Sequence, residues 1–116
     1  MRSFQRPGRS PVYAEHAVIA TSHPLASEVG LSVLKAGGNA VDAALAAVAT
    51  LCVVEPAMTG IGGDCFALYL PAGAARPIAL NGSGRAPGAA DPAWYADQGI
   101  TKIDRFTPHA VTVPGA

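Results

Sequence analysis

The residue best suited to hold a ligand is Arg85, in the run Asn81-Gly82-Ser83-Gly84-Arg85-Ala86-Pro87. A guanidinium placed just past a strand, in a Gly/Ser/Pro-rich segment, can fork onto a carboxylate. A surface arginine ahead of a turn has the same local sequence, so both readings stand at this level. The carboxylates are less specific. Asp42 stands three residues after Asn39, the spacing of a helix cap, and Asp64 follows a glycine turn, where it either lines a site or closes the turn. His16, His23 and His109 are far apart, and no Cys, His and Asp spacing resembles a metal site. His23, beside Pro24, reads as a structural residue of a helix start. Thr21 and Ser22 have no neighbouring base and read as caps rather than nucleophiles. Gly60-Ile61-Gly62-Gly63 has the glycines of a phosphate loop in the opposite context, because it follows a helix and opens a strand with no Lys-Ser/Thr pair after it. Close packing of backbone against another element accounts better for those glycines. No residue is assigned a catalytic or metal-binding role, and no cofactor is implied.

The elements that must position these residues are mixed helix and strand. Ala17-Val18-Ile19-Ala20 fits a short buried strand. Ser22 offers an N-cap and Pro24 suits a first helical turn, after which Leu25, Val29, Val33 and Leu34 recur at helical spacing. Lys35 favours the negative end of that helix and Gly37 supplies a left-handed C′ residue. Asn39 caps a second helix with Asp42 as a short capping box, and Pro56 forces Glu55 out of helical geometry and ends it. Cys65–Leu70 and Pro77–Asn81 read as an antiparallel strand pair joined by a Pro/Gly loop. Asp91-Pro92 opens a short helix, and Ala110–Val113 reads as a final strand.

The second helix sets the largest demand. Between Asp42 and Glu55 it carries no charge, and an all-round apolar helix must be covered on every side. One more substantial helix and four short strands cover one side of it. A truncated piece of a layered α/β fold explains that shortfall better than burial against a partner. Two expected domains of organisation follow: an irregular, Pro/Gly-rich arm over residues 1–16, and one incomplete folded region over residues 17–116.

Composition narrows the function classes. Charged residues make up 14% of the chain against roughly 25% in ordinary soluble domains, and the formal net charge is zero. The eight basic residues are scattered apart from Arg2, Arg6 and Arg9 in a solvated arm, so no nucleic-acid surface is expected. Cys52 and Cys65 lie in apolar surroundings and read as buried free thiols. Residues 1–9 lack the apolar core of an export leader, and the apolar run Ala43–Val54 is too short to span a bilayer. A cytoplasmic protein is expected, with a periplasmic location following instead if translation starts upstream.

Several segments together resemble the N-terminal part of the large subunit of the γ-glutamyltranspeptidase family. These are Ala20-Thr21-Ser22-His23-Pro24, Gly37-Gly38-Asn39-Ala40-Val41-Asp42-Ala43-Ala44, Glu55-Pro56, Gly60-Ile61-Gly62-Gly63 and the closing Thr112-Val113-Pro114-Gly115. The resemblance runs from about Val18 to the end of the chain. It implies an N-terminal nucleophile hydrolase, an αββα four-layer sandwich made as a proenzyme that cuts itself to expose a threonine nucleophile. It also implies a small amide or γ-glutamyl-like substrate carrying a carboxylate, and a C-terminal small subunit that holds the nucleophile and oxyanion donors. In true γ-glutamyl enzymes an Arg-Glu-x-Ala-Pro pattern binds the substrate α-carboxylate through its arginine. Aligned on Ala86-Pro87, Ser83 takes the arginine position and Gly84 the glutamate position, with Arg85 two residues later. In an extended segment positions 83 and 85 share one face roughly 6–7 Å apart. The resemblance therefore makes Ser83 and Arg85 the expected substrate contacts, for an acid other than a standard γ-glutamyl group, such as oxamate or the acyl group of a β-lactam side chain. A non-catalytic binding or scaffold domain that keeps the fold is the alternative.

Overall fold

A computed structural model describes residues 11–115, and the chain divides between Val54 and Glu55 into two compact units. The arginines of the arm, the leader region at residues 1–9 and Ala116 lie outside the described residues. Residues 11–16 form no helix or strand.

The first unit is a helical hairpin, α1 (Pro24–Lys35) and α2 (Ala40–Val54). Its start corrects the expected cap. A residue before proline is pushed out of the helical region, and His23, at φ −122° and ψ 133°, is therefore the N-cap in place of Ser22. Pro24 has no N–H to satisfy, so the His23 Nδ1 accepts from the next donor, the Leu25 amide, at 3.2 Å. The Thr21 hydroxyl donates to the His23 carbonyl at 2.7 Å and lies 2.7 Å from the Ser27 hydroxyl, closing the same turn. At the other end Gly37 takes φ +92° as expected. Its amide donates to the Leu34 carbonyl and that of Gly38 to Val33, the paired bonds of a Schellman close.

The second helix starts as its sequence requires. Asn39 Oδ1 accepts from the amides of Val41 at 2.8 Å and Asp42 at 3.1 Å, and Asp42 Oδ2 accepts from the Asn39 amide at 3.0 Å. Asp42 is thus a capping residue. The buried positions of the hairpin, Ala26 and Gly30 on α1 and Ala43 and Ala47 on α2, are each four apart and so share a helix face. Close approach depends on their size: a Cβ on Gly30 would collide with Ile19 Cδ1 and lie 3.1 Å from the Ala43 carbonyl oxygen. Much of the rest of α2 remains uncovered, with Leu45 64% and Val53 78% exposed. An apolar groove of about 550 Å³ runs between residues 16–21 and the α2 side chains Ala44, Ala47, Val48 and Leu51. Ala17–Ala20, expected as a buried strand, pairs with no other strand among the described residues and Val18 is 69% exposed. A strand needs a ladder partner, and this unit is otherwise helical.

The second unit is built on an antiparallel ribbon, β1 (Cys65–Tyr69) and β2 (Ile78–Gly82), registered from Cys65 opposite Gly82 to Tyr69 opposite Ile78. Alternation places Ala67, Tyr69, Ile78 and Leu80 on one face and Phe66, Leu68 and Ala79 on the other. Both faces are apolar and both are open, with Phe66, Leu68, Ile78 and Leu80 all more than half exposed. Strands apolar on both faces belong to the interior of a layered fold, and a two-stranded ribbon alone is marginal in water.

A short helix α3 (Pro92–Asp97) follows, its N-cap Asp91 accepting from the Ala93 amide at 2.9 Å. Trp94, Tyr95 and His109 gather their rings at centroid distances of 5.2–5.9 Å. The final segment departs from expectation. Pro108–Ala110 forms a 3-10 turn and residues 111–115 form no strand, because two isolated backbone bonds rather than a ladder hold them. The two thiols are half-buried and unpaired, less enclosed than their apolar neighbours suggest.

Candidate functional site

Three backbone segments of the second unit converge where the ribbon ends: Gly63–Cys65, Gly82–Arg85 and Thr112–Gly115. The register of the ribbon brings Asp64 opposite Ser83, one step beyond the last paired residues Cys65 and Gly82. There the ladder gives way to a side-chain bond, with the Gly84 amide donating to Asp64 Oδ1 at 3.0 Å. The third segment lies against the second, where the Val113 amide donates to the Arg85 carbonyl at 2.9 Å. Two residues on, the Gly115 amide donates to the Gly63 carbonyl at 3.1 Å.

Glycine is required at this crossing. A Cβ on Gly84 would collide with the Thr112 hydroxyl and the Val113 carbonyl oxygen, and would lie 2.8 Å from Thr112 Cβ. No side chain has space for its Cβ at Gly84 while residues 112–113 hold this position. The Gly60-Ile61-Gly62-Gly63 turn behaves differently from its expectation. It closes through the Gly63 amide on the Gly60 carbonyl at 3.1 Å, but a Cβ at Gly60 or Gly62 would meet nothing within 4 Å. The close packing expected there is absent at Gly60 and Gly62, whereas the Gly63 backbone meets that of Gly115.

Both expected substrate contacts lie at this crossing. Ser83 is exposed, and its hydroxyl and amide both donate to Asn81 Oδ1, at 2.7 and 3.1 Å. Arg85 is exposed, and no hydrogen bond or ion pair engages its guanidinium among the described residues. Its main chain is held on both sides, through its own carbonyl and through the preceding amide. The segment thus offers a cation on a held main chain, suited to a carboxylate, near a hydroxyl whose proton is engaged by Asn81. No three His, Cys, Asp or Glu side chains come together among the described residues. Residue types and spacing did not reveal Thr112, Val113 and Gly115 as the other wall of this site. The available signal was the recurrence of glycine at 82, 84 and 115, which marks close backbone approach.

Comparison with known proteins identifies the family of the chain. The family model described as gamma-glutamyltranspeptidase matches residues 26–116. The glutathione hydrolase proenzyme of Bacillus subtilis (strain 168) is 43% identical over 102 residues, covering 84% of this chain and 17% of its own length. The oxamate amidohydrolase proenzyme of Klebsiella pneumoniae is 42% identical over 83 residues, covering 72% of this chain and 16% of its own. In three dimensions the chain resembles the crystal structure of Helicobacter pylori γ-glutamyltranspeptidase with a TM-score of 0.75 at 36% identity, covering 91% of this chain and 31% of that one. The chain thus spans about a sixth of the length of those curated relatives. A family model over most of its residues and a shared fold at this level of identity lead to one statement: the chain belongs to the γ-glutamyltranspeptidase family.

Proposed function

We propose that these residues are the N-terminal portion of a self-processing amidohydrolase or acyltransferase whose substrate is a small amide with a carboxylate on its acyl part. The catalytic threonine of such an enzyme lies outside this chain. Its hydroxyl adds to the amide carbonyl while its own α-amine takes the proton and passes it to the departing amine, and water or an acceptor amine then opens the ester. The contribution of this chain is binding and orientation. Both open faces of the β1–β2 ribbon and the uncovered sides of α2 support an αββα sandwich completed by a C-terminal subunit, with these strands in its inner layers.

The observation that carries the substrate reading is the exposed Arg85 guanidinium, unpaired among the described residues, on a main chain held by Val113 and, through Gly84, by Asp64. Its displacement by two residues from the family's carboxylate-binding position favours an acid shaped differently from a γ-glutamyl group, of which oxamate is an example. A relative 42% identical bears the name of an oxamate-cleaving enzyme, which supports the same class. Arg85→Ala in the complete protein tests the assignment. Loss of a charge-assisted pair raises KM for the carboxylate-bearing substrate about tenfold or more with kcat little changed. An unchanged KM contradicts it.

A further inference from the structure

We infer that Asp64 is a positioning residue for Arg85, acting as a hydrogen-bond acceptor and not through its charge. The inference rests on the proposed role of Arg85 in binding a substrate carboxylate. The bond from the Gly84 amide to Asp64 Oδ1 joins residues 20 positions apart, whereas the helix caps of this chain span two or three. It occurs where the ribbon's own ladder stops. Beyond Cys65 and Gly82 no strand pairing holds residues 83–85, so without this bond their link to the β1 side of the ribbon is lost. Gly84 lies between the two proposed contacts, Ser83 and Arg85. Fixing its amide holds the Ser83–Gly84 peptide plane ahead of Arg85, and the Val113 amide holds the Arg85 carbonyl after it. Two bonds on consecutive residues thus restrain the stretch of main chain that carries the Arg85 side chain.

Asp64 serves this purpose from a suitable place. It lies between a glycine turn closed by the Gly63 amide on the Gly60 carbonyl and Cys65, the first residue of β1, so the residue on each side of it is held. A carboxylate near a substrate-binding guanidinium weakens anion binding if it acts by charge. An acceptor that organises the loop strengthens binding. The two roles are opposite in sign, and substitution separates them.

The test compares Asp64→Ala, Asp64→Asn and Arg85→Ala in the complete protein, with KM and kcat measured on the carboxylate-bearing amide. Loss of the acceptor raises KM about three- to tenfold and leaves kcat within about twofold. Asp64→Asn keeps an acceptor oxygen and recovers most of that loss. In the Arg85→Ala background, Asp64→Ala has no further effect on KM. Asp64→Asn equal to Asp64→Ala, or a lowered KM in either, overturns the acceptor role. If Arg85→Ala raises KM and Asp64→Ala does not, the inference fails while the Arg85 assignment survives. If Arg85→Ala leaves KM unchanged, the assignment itself has failed. Amide hydrogen exchange at Gly84 in the unsubstituted protein gives a reading that no folding defect can obscure. Slow exchange supports the bond, and exchange at the rate of an open loop overturns it.

Discussion

At the scale of single residues, small size at Gly82, Gly84 and Gly115 and the acceptor Asp64 decide the geometry of the candidate site. Gly84 has no room for a side chain, because residues 112 and 113 occupy the space it would need. Gly84→Ala is expected to lower stability by about 1–3 kcal/mol through overpacking and to speed exchange of the Val113 amide. Equilibrium denaturation with amide exchange checks both, and an unaltered midpoint with a protected Val113 amide would show that the crossing is looser than described. The caps show how far local chemistry is legible. Asn39 with Asp42, Gly37, and Asp91 ahead of Pro92 all act as their types and spacing require, since each bond spans a few residues. His23 in place of Ser22 was also within reach, because Pro24 already excludes helical geometry at the residue before it. The Asp64–Gly84 bond was not legible, because nothing local relates a turn carboxylate to an amide 20 residues away.

At the scale of elements, the helical hairpin and the ribbon differ in what completes them. The hairpin has a small internal contact of its own, made by alanine and glycine, and its tightness depends on residue size. Gly30→Val adds two branches against the Ala43 carbonyl and Ala47 Cβ, which would lie 3.1 and 3.6 Å from the first added carbon. The expected cost is about 1–3 kcal/mol, read from the denaturation midpoint of the complete protein, and no change would mean that Ile19 and α2 yield freely. Both helices and the antiparallel strand pair were legible from apolar periodicity and breakers, to within one residue at most boundaries. Ala17–Ala20 and Ala110–Val113 were not, although their composition suits strands. Strand formation needs a partner ladder, and composition records a tendency to pair without recording whether a partner is present. The glycine turn at 60–63 is a similar case, with residues suited to close packing and no neighbour within reach at Gly60 or Gly62.

At the scale of the molecule, the buried apolar residues are three alanines, and no large side chain is fully enclosed among the described residues. A domain of this length ordinarily buries leucine, isoleucine, valine and phenylalanine. Here Leu45, Val53, Phe66 and Leu68 are all more than 60% exposed. The helix that was expected from its sequence to need cover on every side has it on one. The same pattern holds in each unit, which is why the proposed reading places these residues in a larger layered fold. Membership of the γ-glutamyltranspeptidase family gives that reading its chemistry, and the relatives named as proenzymes give it a direct assay. The complete protein is expressed, purified and incubated, and its mass and new N-terminus are determined. The account predicts two polypeptides from one precursor, the smaller beginning with threonine, and amide hydrolysis that begins as cleavage proceeds. A single uncut polypeptide without hydrolytic activity would contradict it and favour a binding domain that keeps only the fold.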